Sequence, residues 1–355
     1  MNIQSRGAVL SVNIGSDYTQ RGTAPLAGEG VILSKSVPGA GYGKKCVLIT
    51  FDELNIAAVR STGDGTVKTS FLLQNVCGLR GKLLKSSFTA TGSARHTAET
   101  TPVDFRSCVQ NVSIPKTVIE IDNSGGPGGF WIRNRDPACA TANIALGSIN
   151  VTTSSSDEPV AIFSSGVPAA DVHDIHIGLI TFATADGGGE GPSVTRVAGD
   201  YDPSKMRRIS IDRVEGVIGS IRSLPTSTGG FGLKVQRAYA RIGLVQLTYN
   251  GKWARSQKAV FGIRFAPGTG QTIPLVIPKV ELEVVYDNAI PLTSSAMIYG
   301  PVKVGSLSIV GAGTGFREVG YGILRPDSVN IQSPKIRRQY QVERMKAAGW
   351  VRDGS

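Results

Sequence analysis

The chain has 355 residues, of which 41% are hydrophobic and 18% charged, and it carries 44 glycines and a formal net charge of +11. No run of about 18 apolar residues occurs, which predicts that no segment spans a membrane, and the first residues lack the apolar core of a signal peptide. Lys and Arg are scattered, apart from one cluster in the C-terminal tail, so the charge alone does not predict nucleic-acid binding. We therefore expect a turn-rich protein that is made in the cytoplasm.

Residues 1–45 are rich in glycine and contain proline, with strand-like stretches only at 8–14 and 30–33. Because the open end of a repeat array must be covered, we predict that this segment is a cap or an attachment segment. Residues 46–110 follow with irregular strand-like stretches and a polar loop at 89–101.

From residue 112 onward, pairs of apolar residues two positions apart recur every 31 to 34 residues. These pairs are Val112/Ile114, Ile144/Leu146, Ile175/Ile177, Ile209/Ile211, Ile242/Leu244, Leu275/Ile277 and Leu307/Ile309. Within each unit apolar and polar residues alternate, which predicts strands, and a step of three after each pair predicts a corner between two strands. A further strand is predicted before most pairs, at 129–134, 160–163, 231–235, 260–265, 297–299 and 321–324.

A fixed period of this length predicts an array whose units bury their apolar faces on one another. Helical repeats do not fit, because the middle of the chain lacks amphipathic helices, and a propeller blade needs about 40–50 residues. The sequence therefore predicts an all-β fold, a right-handed parallel β-helix solenoid over residues 46–330. In the tail, 331–355, Ser333, Pro334 and Gly349 predict a short C-terminal helix.

Four cysteines, Cys46, Cys77, Cys108 and Cys139, are spaced 31 residues apart, which predicts a stack on successive rungs. Neighbouring rungs lie ~4.8 Å apart, close enough for disulfides. We favour reduced thiols that fill the interior, as expected for a cytoplasmic product, and disulfides remain an alternative. A metal is a further alternative, although four ligands in a line do not form a tetrahedron. No cofactor is predicted.

A glycine-rich β-helix with such rungs and no signal peptide resembles the right-handed parallel β-helix (pectin-lyase-like) superfamily, and within it the bacteriophage tailspike and tail-fibre proteins. The resemblance covers about residues 46–330 and is architectural, since the chain carries no catalytic motif specific to the family. It implies a homotrimer on a virion that binds or cleaves a bacterial surface polysaccharide. The N-terminal segment or the C-terminal helix is then expected to contact other tail proteins.

Glu215, Glu281 and Asp212 are the candidate catalytic residues. The repeat register places Glu215 and Glu281 on one face, two rungs or ~9.6 Å of backbone apart, with Asp212 one corner away. Carboxyl groups ~6.5–9.5 Å apart suit an inverting glycosidase. The alternative is that outward-facing glutamates on a strand are solvated surface.

Aromatic and basic residues supply the candidate ligand contacts. They are Trp131, Trp253, Arg213, Lys252 and Arg255. Alternation in the strand places Trp131 opposite Phe130, and an aromatic ring beside cations suits stacking on a sugar or contact with an anionic polysaccharide. Packing of these loops onto the solenoid or onto a second subunit is the alternative.

The leading hypothesis is a virion tail spike or fibre that binds a bacterial surface polysaccharide for receptor binding and host adsorption. A glycoside hydrolase or polysaccharide lyase on the same β-helix is the first alternative. A purely structural virion assembly protein is the second. None of these predicts a nucleic-acid partner or a membrane span.

Overall fold

The structure of the chain is a computed structural model. It describes residues 2–6, 10–11, 29–34, 49–60, 69–90, 102–122, 128–153, 159–165, 168–184, 187–188, 193–199, 202–218, 221–222, 231–250, 260–285, 295–299, 302–311 and 328–332. Within these residues the chain forms 23 β-strands and one short 3₁₀ helix, Pro203–Lys205.

Eleven strands form one parallel sheet, here called the long-strand sheet. In spatial order they are β1 (Asn2–Arg6), β4 (Ile49–Arg60), β6 (Cys77–Ala90), β8 (Gln110–Asp122), β10 (Thr141–Thr153), β12 (Val172–Thr184), β15 (Met206–Ile218), β18 (Ala240–Asn250), β20 (Leu275–Val285), β22 (Val302–Gly311) and β23 (Ser328–Gln332).

Ten strands form a second parallel sheet, here called the short-strand sheet. In spatial order they are β2 (Leu10–Ser11), β3 (Glu29–Ser34), β5 (Thr69–Gln74), β7 (Val103–Arg106), β9 (Phe130–Asn134), β11 (Val160–Ser164), β14 (Ser193–Gly199), β17 (Phe231–Gln236), β19 (Val260–Ala266) and β21 (Ser295–Tyr299). A small third sheet pairs β13 (Gly187–Gly188) with β16 (Ile221–Arg222).

From β3 to β22 each turn of the chain supplies one strand of the short-strand sheet and then one of the long-strand sheet, and the next turn lies parallel beside it. This arrangement confirms the predicted all-β parallel β-helix solenoid. The strands of the first 45 residues, β1, β2 and β3, pair within the same two sheets, and the rest of the predicted cap lies outside the described residues. The predicted C-terminal helix also lies outside the described residues.

The long strands turn a corner where the spacing of the inward residues changes from two to three. In β10, Leu146 and Ile149 are buried while Gly147 and Ser148 both lie on the outside, which confirms the predicted corner. Gly178 stacks on Gly147, and a Cβ at Gly178 would lie 2.6 Å from the Gly147 carbonyl oxygen. Successive rungs therefore approach too closely at this corner for a side chain at residue 178.

A second corner uses residues in the left-handed backbone region. Asn111, Asn143, Asp174 and Arg208 occupy equivalent places in β8, β10, β12 and β15 and have φ values of 56°, 58°, 56° and 51°. Asn and Asp tolerate this conformation better than most residues. The Asn143 side-chain amide donates to Asn111 Oδ1 at 3.2 Å. This hydrogen bond links the corner of β10 to the corner of β8.

The register of two rungs differs from the sequence prediction. Ile242 pairs with Ile211, one inward position later than predicted. Leu307 pairs with Val280, whereas the repeat predicted Leu275 as its partner. After this shift Ile242 and Leu247 remain buried, but Leu244, which the repeat predicted to face inward, pairs with the exposed Arg213 and is only half-buried. The apolar pattern alone therefore does not fix the register between rungs.

The core lies between the two sheets and is filled by columns of stacked side chains, with a large residue placed beside a small one. Phe182 pairs with Gly216, and a Cβ at Gly216 would overlap the Phe182 ring. Phe51 and Gly81 form a second such pair. Glycine at these positions provides the volume that the neighbouring ring fills, as close packing requires.

The three described cysteines are oxidised and not reduced, in contrast to the favoured prediction. Cys108 and Cys139 form a disulfide between adjacent rungs with a Cα–Cα separation of 5.4 Å, and Cys77 is also disulfide-bonded. Cys46 lies outside the described residues. The 31-residue spacing brings equivalent backbone positions within bonding range, so the prediction failed on redox state and not on proximity.

Candidate ligand-binding face

The outer face of the short-strand sheet carries a cluster of two aromatic rings and an arginine. In β9, Phe130 and Ile132 are fully buried while Trp131 is half-buried. Strand alternation therefore directs Trp131 away from the core, which confirms that it lies opposite Phe130. Phe163, on the neighbouring strand β11, is also half-buried on this face.

Trp131, Phe163 and Arg133 form a cluster here called the aromatic platform. The Trp131 and Phe163 rings meet edge to face, with centroids 5.3 Å apart. The Arg133 guanidinium carbon lies 5.1 Å from the Trp131 ring centroid and 5.9 Å from that of Phe163. These distances fit an edge-to-face aromatic pair and two cation–π contacts, so the indole is held on two sides.

Asp104 anchors the platform from the preceding strand, β7. Its carboxylate is fully buried although the residue points outward, and it accepts hydrogen bonds from Arg133 Nε at 2.9 Å and Arg133 Nη2 at 2.5 Å. Arg106 Nε donates to the same carboxylate at 2.8 Å. A bidentate Arg–carboxylate pair fixes the plane of the guanidinium, which in turn fixes the side of the indole that it covers.

Burial lowers the pKa of the Arg133 guanidinium, and the charge of Asp104 opposes that shift. Because an arginine starts from a pKa above about 12, Arg133 stays protonated at neutral pH. The platform thus consists of an indole ring in a fixed orientation beside the charged guanidinium of Arg133, which is paired with Asp104. Such a surface can stack on the apolar face of a sugar ring.

Glu215 and Glu281 lie on the outer face of the other sheet. Glu215 pairs with Gln246, and Gln246 pairs with Glu281, so the two glutamates share one column two strands apart, as the sequence predicted. Glu215 forms an ion pair with Arg213, and Lys279 Nζ lies 2.6 Å from Glu281 Oε1. Each carboxylate therefore has a cation on its own strand.

Asp212 occupies the corner beside this column and contacts a histidine. Its Oδ2 lies 3.6 Å from His176 Nε2, and the other ring nitrogen of His176 lies 2.9 Å from Ser210 Oγ. The side chains of His176 and Asp212 are 53% and 64% exposed. These three residues form a solvated polar cluster on an open strand face.

A set of cross-rung ion pairs, here called the corner network, joins β12 to β15. Arg208 donates from Nε and Nη2 to the two oxygens of Asp174 at 2.5 and 2.7 Å, and these hydrogen bonds hold the pKa of the Asp174 carboxyl well below its usual range. Burial raises the pKa of Asp171, but hydrogen bonds from Arg207 and Lys205 outweigh it and leave the pKa below its ordinary value.

Two of the predicted ligand contacts belong to the described residues, and they lie on different sheets. Arg213 lies on the long-strand sheet, where its Nη2 also donates to Gln246 Oε1 at 3.2 Å, whereas Trp131 lies on the short-strand sheet. Trp253, Lys252 and Arg255 lie outside the described residues.

One group among the described residues has the composition of a metal site. Cys108, Asp136 and Cys139 place their ligand atoms within 4.8 Å of one another. Both sulfur atoms are engaged in the disulfide, and a thiolate is the form that binds a metal. With the disulfide formed, only the Asp136 carboxylate of this group is available to bind a metal.

Sequence reasoning found Trp131 but missed the residues that hold it. Asp104 and Arg133 are 29 residues apart, close to the repeat length, and both belong to strands of alternating residues. Comparison of charged residues one repeat apart would have suggested the pair. Phe163 was included in a predicted strand, but its pairing opposite Arg133 depends on the register between rungs.

No family model, no curated protein and no solved structure matches this chain. The resemblance to tailspike and pectin-lyase-like proteins thus extends to the parallel β-helix architecture alone. Among the described residues no helix is long and apolar enough to cross a membrane.

Proposed function

We propose that this solenoid binds a bacterial surface polysaccharide through the aromatic platform, as the receptor-binding part of a virion spike or fibre. The observation that carries the proposal is Trp131, a half-exposed indole fixed by Phe163 and Arg133 on a regular sheet face. A pre-oriented aromatic ring loses little conformational freedom when a sugar stacks on it.

The architecture supports the same proposal. Stacked rungs form a long, stiff scaffold whose outer faces are repeated strand surfaces, suited to a chain-like ligand. As a spike the chain is proposed to be a homotrimer, attached to other tail proteins through its N-terminal segment or C-terminal tail. A solution mass near three times 37.3 kDa supports that assembly, and a monomer argues against it.

Replacing Trp131 with Ala tests the platform. The full chain is titrated with a panel of purified bacterial capsular and lipopolysaccharide glycans, and binding is followed by calorimetry. Removal of one stacking ring is expected to weaken binding of any glycan that the wild type recognises by about tenfold to a hundredfold, or ~1–3 kcal/mol by analogy with aromatic stacking on bases.

Val276→Ala is the matched control, because Val276 is an exposed apolar residue, 44% accessible, on the other sheet. Its affinity is expected to equal that of the wild type. Equal binding by wild type and Trp131→Ala removes the platform as the site. A failure of the wild type to bind any glycan of the panel leaves the structural assembly role as the better account.

A second candidate function, hydrolysis or cleavage of the same polysaccharide, rests on the shared column of Glu215 and Glu281. The ion pairs to Arg213 and Lys279 are also what two solvated surface glutamates form. The binding function therefore has the stronger geometric support.

A further inference from the structure

We infer that Cys108, Cys139 and Asp136 form a redox-dependent metal site: the reduced chain binds a zinc ion there, and oxidation to the disulfide excludes it. The three residues place their ligand atoms within 4.8 Å of one another. Two thiolates and a carboxylate are ligands that zinc accepts, with a water molecule as the fourth. The inference is independent of the proposed function, since it uses none of the residues of the aromatic platform.

Asp136 supplies the ligand that a stack of cysteines lacks. Cys108 and Cys139 lie on adjacent rungs with Cα atoms 5.4 Å apart, and the carboxylate lies beside them. Asp136 Oδ2 is 3.7 Å from Cys108 Sγ. Ligand atoms around a tetrahedral zinc ion are about 3.5 Å apart when the bonds are about 2.3 Å to sulfur and about 2.0 Å to oxygen. The carboxylate is therefore already at the separation that a shared ion requires.

Hydrogen bonds hold the carboxylate and the turn that carries it. Asp136 Oδ1 accepts a hydrogen bond from the Ala138 backbone N–H at 2.9 Å, which leaves Oδ2 for the ion. The fully buried Asn134 accepts from the Asp136 N–H at 3.1 Å and donates from Nδ2 to the Cys139 carbonyl at 2.7 Å. One buried amide thus fixes two ligand-bearing residues relative to each other, as outer contacts do around metal ligands.

Cys108 reaches this group through an unusual backbone conformation. It is fully buried, and both Cys108 and Ser107 lie in the left-handed region, with φ values of 59° and 52°. Residues other than glycine seldom adopt this region, and they concentrate at turns and functional sites. Pro137 and Ala138, between Asp136 and Cys139, are exposed. An ion and its water ligand therefore have access to the group from solvent.

The conversion between the two states is a thiol–disulfide exchange. A dithiol reductant transfers two electrons and two protons to the disulfide, which becomes two thiols while the reductant becomes a disulfide. Zinc then displaces the two thiol protons, which pass to solvent, because the thiolate is the form that binds a metal. In reverse, a disulfide oxidant takes two electrons from the thiolates, the sulfur atoms are joined again, and the ion is released.

The same two rungs are linked in both states. Cys108 follows β7 and Cys139 follows β9, the strands that carry Asp104, Trp131 and Arg133. Where thiols are kept reduced, as in a cytosol, the metal replaces the disulfide as the link between these strands. Thiolate ligands select zinc over magnesium and calcium, which prefer oxygen ligands.

The test uses the full chain, reduced with dithiothreitol that is then removed without oxygen, and Co²⁺ as a spectroscopic probe. The reduced wild type is expected to bind about one Co²⁺ with the near-ultraviolet charge-transfer band of a cobalt thiolate and the visible bands of a tetrahedral ion. Added Zn²⁺, which binds such ligands more tightly than Co²⁺, is expected to remove both. The oxidised chain is expected to show neither, because its sulfur atoms are bonded to each other.

Asp136→Asn keeps the size of the side chain and removes the carboxylate. It is expected to weaken Co²⁺ binding by at least about tenfold, since even the loss of an outer contact costs about 10–100-fold in metal affinity. Asp212→Asn is the matched control, the same substitution at an exposed aspartate of the long-strand sheet, and its affinity is expected to equal that of the wild type. Cys77→Ser, which removes a disulfide-bonded cysteine outside the group, is expected to keep both bands.

Three outcomes overturn the inference. The first is the absence of both bands from the reduced wild type. The second is equal Co²⁺ affinity of wild type and Asp136→Asn, or loss of the bands in Cys77→Ser, since either assigns the metal to a different set of ligands. The third is loss of the β-sheet circular dichroism on reduction that metal does not restore, because the folded rungs then do not form the site. Glycan binding by the oxidised chain decides the proposed function separately.

Discussion

The outer faces of the two sheets handle charge in opposite ways. On the long-strand sheet, cations lie next to carboxylates, as in Arg213 with Glu215 and Lys279 with Glu281. From β5 to β21 the short-strand sheet contains five basic residues and a single acidic one, Asp104, which is buried against Arg133 and Arg106. Both faces belong to the same rungs, so rung stacking does not dictate this difference.

The carboxylates of the two faces differ in burial and in their partners. Glu215 and Glu281 are half-exposed beside one cation each, whereas Asp104 is fully buried beside two arginines. Ion pairs along and between rungs neutralise the long-strand face, which reduces repulsion between stacked turns. On the short-strand face the buried carboxylate of Asp104 orients Arg133 beside Trp131. The two faces are therefore expected to respond differently when single charges are removed.

Asp104→Ala is expected to have the largest effect. It leaves the buried guanidinium of Arg133 without its carboxylate, and breaking a buried pair in this way costs ~3–5 kcal/mol in the free energy of unfolding. Glu281→Ala, which removes a half-exposed carboxylate from the long-strand face, is expected to cost less than about 1 kcal/mol. Urea unfolding of both variants, followed by circular dichroism, measures the contrast, and similar unfolding free energies would contradict it.

Much of this architecture could be predicted from sequence, because inward side chains leave a periodic apolar pattern. The pattern predicted strands in both sheets and the change of inward spacing at the Gly147 corner, but it divided the continuous long strand into two. It missed β14, Ser193–Gly199, since that strand includes two hydroxyl residues, an arginine and a glycine, and offers few apolar residues to recognise. It also paired Ile242 with the wrong residue of the preceding rung, because a register change of two residues still places Ile242 at an inward position.

The candidate site was less predictable than the core, for a physical reason. Outward residues are not constrained to be apolar, so no periodic signal marks them. The placement of Trp131 followed from alternation within its own strand. Its contacts with Phe163 and Arg133 depend on the register between strands, which the sequence pattern does not fix.

Asp174→Asn is expected to have an intermediate effect and to change the pH dependence of stability. The hydrogen bonds from Arg208 lower the pKa of Asp174 in the folded state below its ordinary value of 3.8. A carboxyl with a lowered folded-state pKa stabilises the fold above its unfolded pKa, and that contribution is lost as the pH falls through the folded value. The stabilisation is therefore complete at neutral pH and decreases below a pH of about 4.

At pH 7 the Asn variant is expected to lose up to about 1 kcal/mol, the range of an exposed ion pair. This difference from the wild type should shrink progressively as the pH falls below about 4 towards the folded-state pKa of Asp174. Thermal unfolding between pH 2 and 7 measures this convergence. Asp212→Asn is the comparison variant, because Asp212 is more exposed and contacts only His176 in the described structure. A difference in unfolding free energy between wild type and Asp174→Asn that stays constant across this pH range would contradict the prediction, since it would show that the charge of Asp174 does not contribute to stability.

Glu215→Gln is expected to have the smallest effect and tests the division between the two faces most directly. The substitution keeps the size of the side chain and removes one half-exposed charge that is paired with Arg213, so the unfolding free energy should change by less than about 0.5 kcal/mol. Glycan affinity should not change, since the platform lies on the other sheet. A third measurement follows the chain length of a polysaccharide incubated with the protein, by size-exclusion chromatography. Glu281→Gln, which changes the other glutamate of the same column, is measured alongside Glu215→Gln. If wild type shortens the polymer and both variants do not, the long-strand face is catalytic, and its ion pairs hold an active site instead of neutralising a surface.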